Sequence, residues 1–133
     1  MSSSTPSWMN LQMDDTYVFT GQWIDELVAE GYAGYYVLGN ANGNVFEPRY
    51  VGRSDSDIHQ ELEAQEGKRR KGAHHNYRHF KFGLAESARV AFETECQLYH
   101  QLGSSDFLDN QVHPVRPKHT LWKCPVDGCH EFD

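Results

Sequence analysis

Gly39-Asn40-Ala41-Asn42-Gly43-Asn44 is the stretch that most restricts this chain, because five of its six residues tolerate positive φ. Tyr35–Leu38 lies on one side of it and Val45–Gly52 on the other, both rich in aromatic and β-branched residues. Such segments read as strands, and a run this dense in Gly and Asn turns one back along the other. An antiparallel hairpin follows. Pro48 marks a bulge or an irregular start in its second strand, since proline has no N–H to give a ladder.

The flanking sequence supplies helices to cover that hairpin. Thr20 reads as the N-cap of a helix over Gly21–Glu30, with Trp23, Ile24, Leu27 and Val28 on one face and Gly31 as the stop. Ser54, Asp55 and Ser56 are competing caps for a second helix, through Ile58 and Leu62 to about Gly67. His79-Phe80-Lys81-Phe82 alternates as a half-buried strand does. Ser87 then caps a long helix carrying Ala88, Ala91, Phe92, Glu95, Tyr99 and Leu102, which Gly103 ends. The expected fold is α+β, a small three-stranded, mainly antiparallel sheet flanked by helices.

At 133 residues the chain has room for one compact domain. Residues 1–12 read as a loose arm, 13–110 as the domain and 111–133 as a Pro/His/Cys-rich tail. Hydrophobic residues at 38% and charged residues at 23% exclude a disordered or fibrous class. No apolar run approaches the roughly 18 residues of a membrane span, and Met1–Asn10 lacks the apolar core of a secretory leader. A cytoplasmic protein is the expectation. Three cysteines, Cys96, Cys124 and Cys129, then point to thiols or a metal site and not to a disulfide framework.

The net charge of −7 argues against a polyanionic partner, but its distribution does not. Lys68, Arg69, Arg70, Lys71, Arg78 and Lys81 fall between Gly67 and Phe82 with no acid among them. Half of the 12 basic side chains are thus concentrated in one segment, while all 19 acidic ones lie elsewhere. A basic patch on an acidic body can bind phosphates; a solvated loop is the plainer alternative. His74 and His75, within this run, read as phosphate-facing or solvated.

Candidate reagents sit on the same elements. The hairpin brings Tyr36 and Tyr50 to adjacent strands beside Gly34 and Gly52. The long helix carries Glu95 on its apolar face, where a carboxylate needs a partner or a cation. Two phenols, a carboxylate and a basic run suit phosphodiester hydrolysis, with a divalent ion activating water and the phenols orienting it. Strand aromatics and an exposed helix glutamate are the alternative reading of the same residues.

The order of these residues resembles that of a known family. Gly34-Tyr35-Tyr36 resembles a GIY triplet, Tyr50-Val51-Gly52 a YIG triplet, and Arg53-Ser54 the basic-then-small pair that follows it. Ala91–Glu95 resembles the late helix that ends on a metal-binding glutamate, and Asp109-Asn110 resembles a closing asparagine. Over residues 32–110 the chain is similar to the GIY-YIG nuclease superfamily. The resemblance implies DNA strand cleavage with one divalent metal, usually Mg²⁺ and alternatively Mn²⁺. It also implies that Tyr36, Tyr50 and Arg53 act in catalysis and that Glu95 binds the metal. DNA rather than RNA is then the expected partner, through Lys68, Arg69, Arg70, Lys71, Arg78 and Lys81.

One position departs from the pattern. Glu61 stands where the family places an arginine, and Gln65 where a histidine often follows. A carboxylate repels the phosphate that a guanidinium attracts. Either another cation, from Arg53, Arg69, Arg70 or Arg78, serves the site, or the domain is an inactive module that binds nucleic acid or protein.

In the tail, Cys124 and Cys129 are separated by Pro-Val-Asp-Gly, a turn-forming spacer compatible with zinc. Two further ligands are required, and His113, His119 and His130 are the candidates. A structural Zn²⁺ on Cys124, Cys129, His113 and His119 would tether the tail; reduced thiols with Trp122 packed on the body are the alternative.

Overall fold

A computed structural model describes residues 16–72 and 76–133. The arm at 1–12 and the pair His74-His75 lie outside the described residues.

Among the described residues eight elements follow one another: β1 (Tyr17–Val18), α1 (Gly21–Leu27), β2 (Gly34–Asn42), β3 (Val45–Ser54), α2 (Ile58–Arg70), β4 (His79–Leu84), α3 (Ala88–Gln101) and α4 (Ser104–Phe107). The expected three strands are four. Tyr17 and Val18 pair with Phe80 and His79 to add a short edge strand, giving the order β1-β4-β2-β3 with every pairing antiparallel. A two-residue strand has too little length to show alternation, which is why the sequence reads there only as apolar.

The hairpin forms as expected. Asn42 pairs with Val45 across Gly43-Asn44, and Gly43 takes a φ of 67° that its missing Cβ permits. The ladder shifts between Leu38 and Gly39, where Arg49 intervenes between Tyr50 and Pro48. That bulge is the irregularity expected near Pro48. Arg49 then turns its carbonyl outward to accept from the Asp109 N–H at 2.6 Å.

Thr20 and Ser87 cap α1 and α3, accepting from the amides of Trp23 and Val90. Asp57, not Ser54, Asp55 or Ser56, caps α2, accepting from Gln60. α1 stops at Leu27 and leaves Trp23 exposed, stacked on Tyr17. α2 continues three residues beyond the expected Gly67, so Lys68, Arg69 and Arg70 occupy its last turn.

The sheet separates two apolar layers. Ile24, Val28, Tyr36, Leu38, Ile58, Leu62, Tyr77 and Phe80 pack under α1 and α2. Val37, Phe46, Val51, Leu98, Tyr99 and Leu108 pack under α3. β3 is the outer strand, and its edge is closed by a side chain: Asn110 Oδ1 accepts from the Val51 N–H, while its Nδ2 donates to the Val51 carbonyl, both at 2.9 Å. The residue that resembled a closing asparagine substitutes for a fifth strand.

Candidate active site and a cysteine-histidine cluster

Cross-strand register builds the first site. Tyr36 on β2 faces Gly52 on β3, and a Cβ on that glycine would lie 2.3 Å from the Tyr36 Cζ and Oη. The missing side chain is therefore what lets the ring lie across the outer strand. Tyr35 uses Gly83 of β4 in the same way on the opposite face. Tyr50 lies two residues before Gly52, on the same side, with its ring centroid 6.4 Å from that of Tyr36.

Arg53 emerges on the other face and meets α3. Its Nη1 donates to Glu95 Oε1 at 2.7 Å, its Nε to Asp55 Oδ1 at 2.7 Å, and its Nη2 to the Val115 carbonyl at 2.6 Å. Its guanidinium also stands over the Phe92 ring at 5.1 Å. From α2, Glu61 reaches the same opening and accepts the Tyr36 hydroxyl proton at 2.8 Å. Tyr36, Tyr50, Gly52, Arg53, Asp55, Glu61, Glu95 and Val115 line one cleft of about 270 Å³. It straddles the outer strand, so groups from both layers converge on it.

Charge in the cleft is unbalanced: three carboxylates surround one guanidinium. Glu95 is buried on α3, and burial raises its carboxyl from 4.5 to about 7 despite the opposing pull of Arg53. Burial raises the Tyr36 phenol well above its ordinary value, and the Glu61 carboxylate raises it further. Burial, with Glu95 and Glu61 adding to it, also raises Tyr50. Both phenols are therefore protonated near neutrality and act as hydrogen-bonding groups. Burial works against the charge of Arg53, but Asp55 and Glu95 outweigh it.

All four residues expected at the catalytic centre, Tyr36, Tyr50, Arg53 and Glu95, thus share the cleft. Asp55, expected only as a possible cap, joins them, as does Glu61. None of Lys68, Arg69, Arg70, Lys71, Arg78 and Lys81 lines it. Arg69 and Arg70 pair with Glu66 at 3.2 and 2.8 Å, and Lys81 is buried, its ammonium over the Phe46 ring. Lys68, Lys71 and Arg78 are exposed.

The tail brings together a different set of donors. Cys124, Cys129 and His113 meet His100 from the last turn of α3, and one ligand atom from each lies within 4.8 Å of all the others. His119, the expected fourth member, is exposed at a φ of 65° and stands apart. The sequence places His100 on a helix next to Gln101, with no cysteine-histidine spacing to mark it. A helix end meets the tail only in three dimensions. Cys96, one turn earlier, is fully buried, as expected of a small core residue. Trp122 and Phe132 pack on Phe92, which seats the tail on α3. Among the described residues, no helix is long and apolar enough to cross a membrane.

Compared with known proteins, the chain gives no significant match to a family model, to a curated protein or to a solved structure.

Proposed function

We propose that this chain is a divalent-metal-dependent endonuclease of the GIY-YIG type, hydrolysing DNA phosphodiester bonds in the cleft at Tyr36 and Glu95. The observation that carries the reading is the convergence of Tyr36, Tyr50, Arg53 and Glu95, drawn from two strands and a helix, on one open cleft. The pairing of Tyr36 with Gly52 supports it, since it gives the two triplets a joint structural purpose. The donors fit a hard cation: Glu95 and Glu61 supply carboxylate oxygens, the ligands Mg²⁺ and Mn²⁺ prefer. When bound there, such an ion lowers the pKa of water and neutralises charge on the leaving oxygen.

Glu61 acquires a role on this reading. Because Tyr36 donates to Glu61, its oxygen lone pairs can accept a hydrogen bond from a water entering the cleft. As that water's oxygen bonds to phosphorus and the bond from phosphorus to the leaving sugar oxygen breaks, the water's proton moves to the Tyr36 oxygen and the phenolic proton moves to Glu61, while the leaving oxygen takes a proton from solvent. Tyr50 orients the water from the neighbouring position. Among the described residues Arg53 is the only cation lining the cleft, and it faces the charge that develops on the phosphate.

Supercoiled plasmid incubated with the purified chain and Mg²⁺ or Mn²⁺ tests the proposal. Wild type should nick it, with Glu95→Gln and Tyr36→Phe slower by about 10²-fold or more. Wild type no faster than Glu95→Gln in either metal removes the reading. The second reading is then a binding module without cleavage, favoured by the full engagement of Arg53 within the chain. It requires metal-independent, salt-sensitive DNA binding that is lost when Lys68, Arg69, Arg70 and Lys71 are neutralised together.

A further inference from the structure

We infer that His100, His113, Cys124 and Cys129 form a structural Zn²⁺ site that fastens the tail to the end of α3. None of the four donors lines the cleft, and the inference is independent of the nuclease reading.

Tetrahedral zinc bound through two sulfurs and two nitrogens, at about 2.3 and 2.05 Å, separates neighbouring ligand atoms by about 3.3–3.8 Å. The four donors here already lie within 4.8 Å of one another. The Cys129 Sγ to His113 Nε2 distance is 3.5 Å, against about 3.6 Å for a sulfur–nitrogen edge of that tetrahedron. Small side-chain adjustments are all that closure needs.

Two further observations point to a ligand. His100 Nε2 is a buried polar atom with no hydrogen-bond partner among the described residues, a costly state for an imidazole unless a cation meets it. His113 Nδ1 lies 2.8 Å from the Pro114 carbonyl, which can only accept. Nδ1 therefore carries the proton, and the Nε2 lone pair is directed toward Cys129. This is how a metal-binding imidazole has its tautomer and ring orientation fixed by a carbonyl behind it.

The chain around the cysteines is shaped for the same purpose. Cys129 N–H donates to the Val126 carbonyl, and Gly128 takes a φ of 85°, folding the Cys-Pro-Val-Asp-Gly-Cys segment into a knuckle. Beyond α4 no helix or strand forms. A segment of this kind gains little from backbone ladders, and a metal can supply the missing folding free energy. Two thiols and two imidazoles in a tetrahedron select Zn²⁺ over the oxygen-seeking Mg²⁺, and binding releases two thiol protons. The tail so held includes Val115, whose carbonyl receives Arg53.

Metal content decides the matter. The full chain, reconstituted with ZnCl₂ under reducing conditions and desalted, should retain one Zn²⁺ by mass spectrometry. His100→Ala and Cys129→Ser should weaken Zn²⁺ by at least about tenfold, the smallest loss typical even of an outer-sphere partner. His119→Ala and Cys96→Ala should retain it. Absence of stoichiometric zinc in wild type overturns the inference, as does loss in His119→Ala with retention in His100→Ala. A Cys124–Cys129 disulfide that persists under reductant does so too. Should the ligand variants not fold, X-ray absorption on zinc-loaded wild type answers instead. Two sulfur and two nitrogen neighbours are expected, and three sulfurs, which would bring in Cys96, would refute the assigned set.

Discussion

Glu95→Gln isolates an unusual ionisation in the cleft. The wild-type carboxyl is raised by burial from 4.5 to about 7, so its folded form holds a proton that its unfolded form has lost. Stability from this group is therefore fully present below pH 4.5 and falls as pH rises toward 7. A difference of about 2.5 in pKa, at about 1.4 kcal/mol for each, amounts to roughly 3–4 kcal/mol, most of which is lost between pH 5 and 8. Urea unfolding of wild type and Glu95→Gln at pH 5, 6, 7 and 8, without divalent metal, measures it. Other groups titrate in both proteins, so the difference between the two curves carries the signal. That difference should shift in favour of the glutamine variant by about 2–3 kcal/mol across the range. A difference that stays flat would mean that Arg53, 2.7 Å away, keeps Glu95 ionised throughout, and the account of the buried acid would fail.

Three other outcomes follow from the geometry. Gly52→Ala drives a Cβ to 2.3 Å from Tyr36 and should cost about 1–3 kcal/mol while displacing that ring; an unchanged Tm would show that the ring has room to spare. Asn110→Ala removes both bonds to Val51 and should cost about 1–3 kcal/mol by denaturant titration, whereas a loss near zero would mean that water satisfies the strand edge equally well. Mg²⁺ at saturating concentration should flatten the pH dependence of wild type above pH 6, since a cation on Glu95 favours its ionised form, and should leave Glu95→Gln unmoved. Equal responses of the two proteins would place the metal elsewhere.

Local chemistry made much of the fold legible. The Gly/Asn run marked the turn at Gly43, although β2 extends through that run as far as Asn42, and Thr20 and Ser87 announced their helices through hydroxyls followed by apolar faces. What escaped the sequence was decided at long range. β1 is two residues long, too short for alternation, and exists because Phe80 offers it a partner. Glu61 read as a lost arginine, but no sequence pattern encodes that Tyr36 lies within hydrogen-bonding distance of it. His113, His119 and His130 read as candidate ligands because they share the tail with Cys124 and Cys129, while the fold swings the end of α3, with His100, into the tail. Arg69 and Arg70 counted as part of a basic run, yet the last turn of α2 folds both back onto Glu66.

The three bonds of Arg53 also prescribe an order of assembly. They join residues separated by 2, 42 and 62 positions in the chain. The first can form while the hairpin is still isolated, the second needs α3 docked on the sheet, and the third must await the return of the tail past the edge of β3. Distant contacts carry the largest loop-closure entropy, so the Val115 contact should be among the last to form and the first to open. Slow amide exchange in β2 and β3 alongside rapid exchange near Val115 would make the cleft a late product of folding, completed by a segment that contributes neither a strand nor a helix to the body it closes.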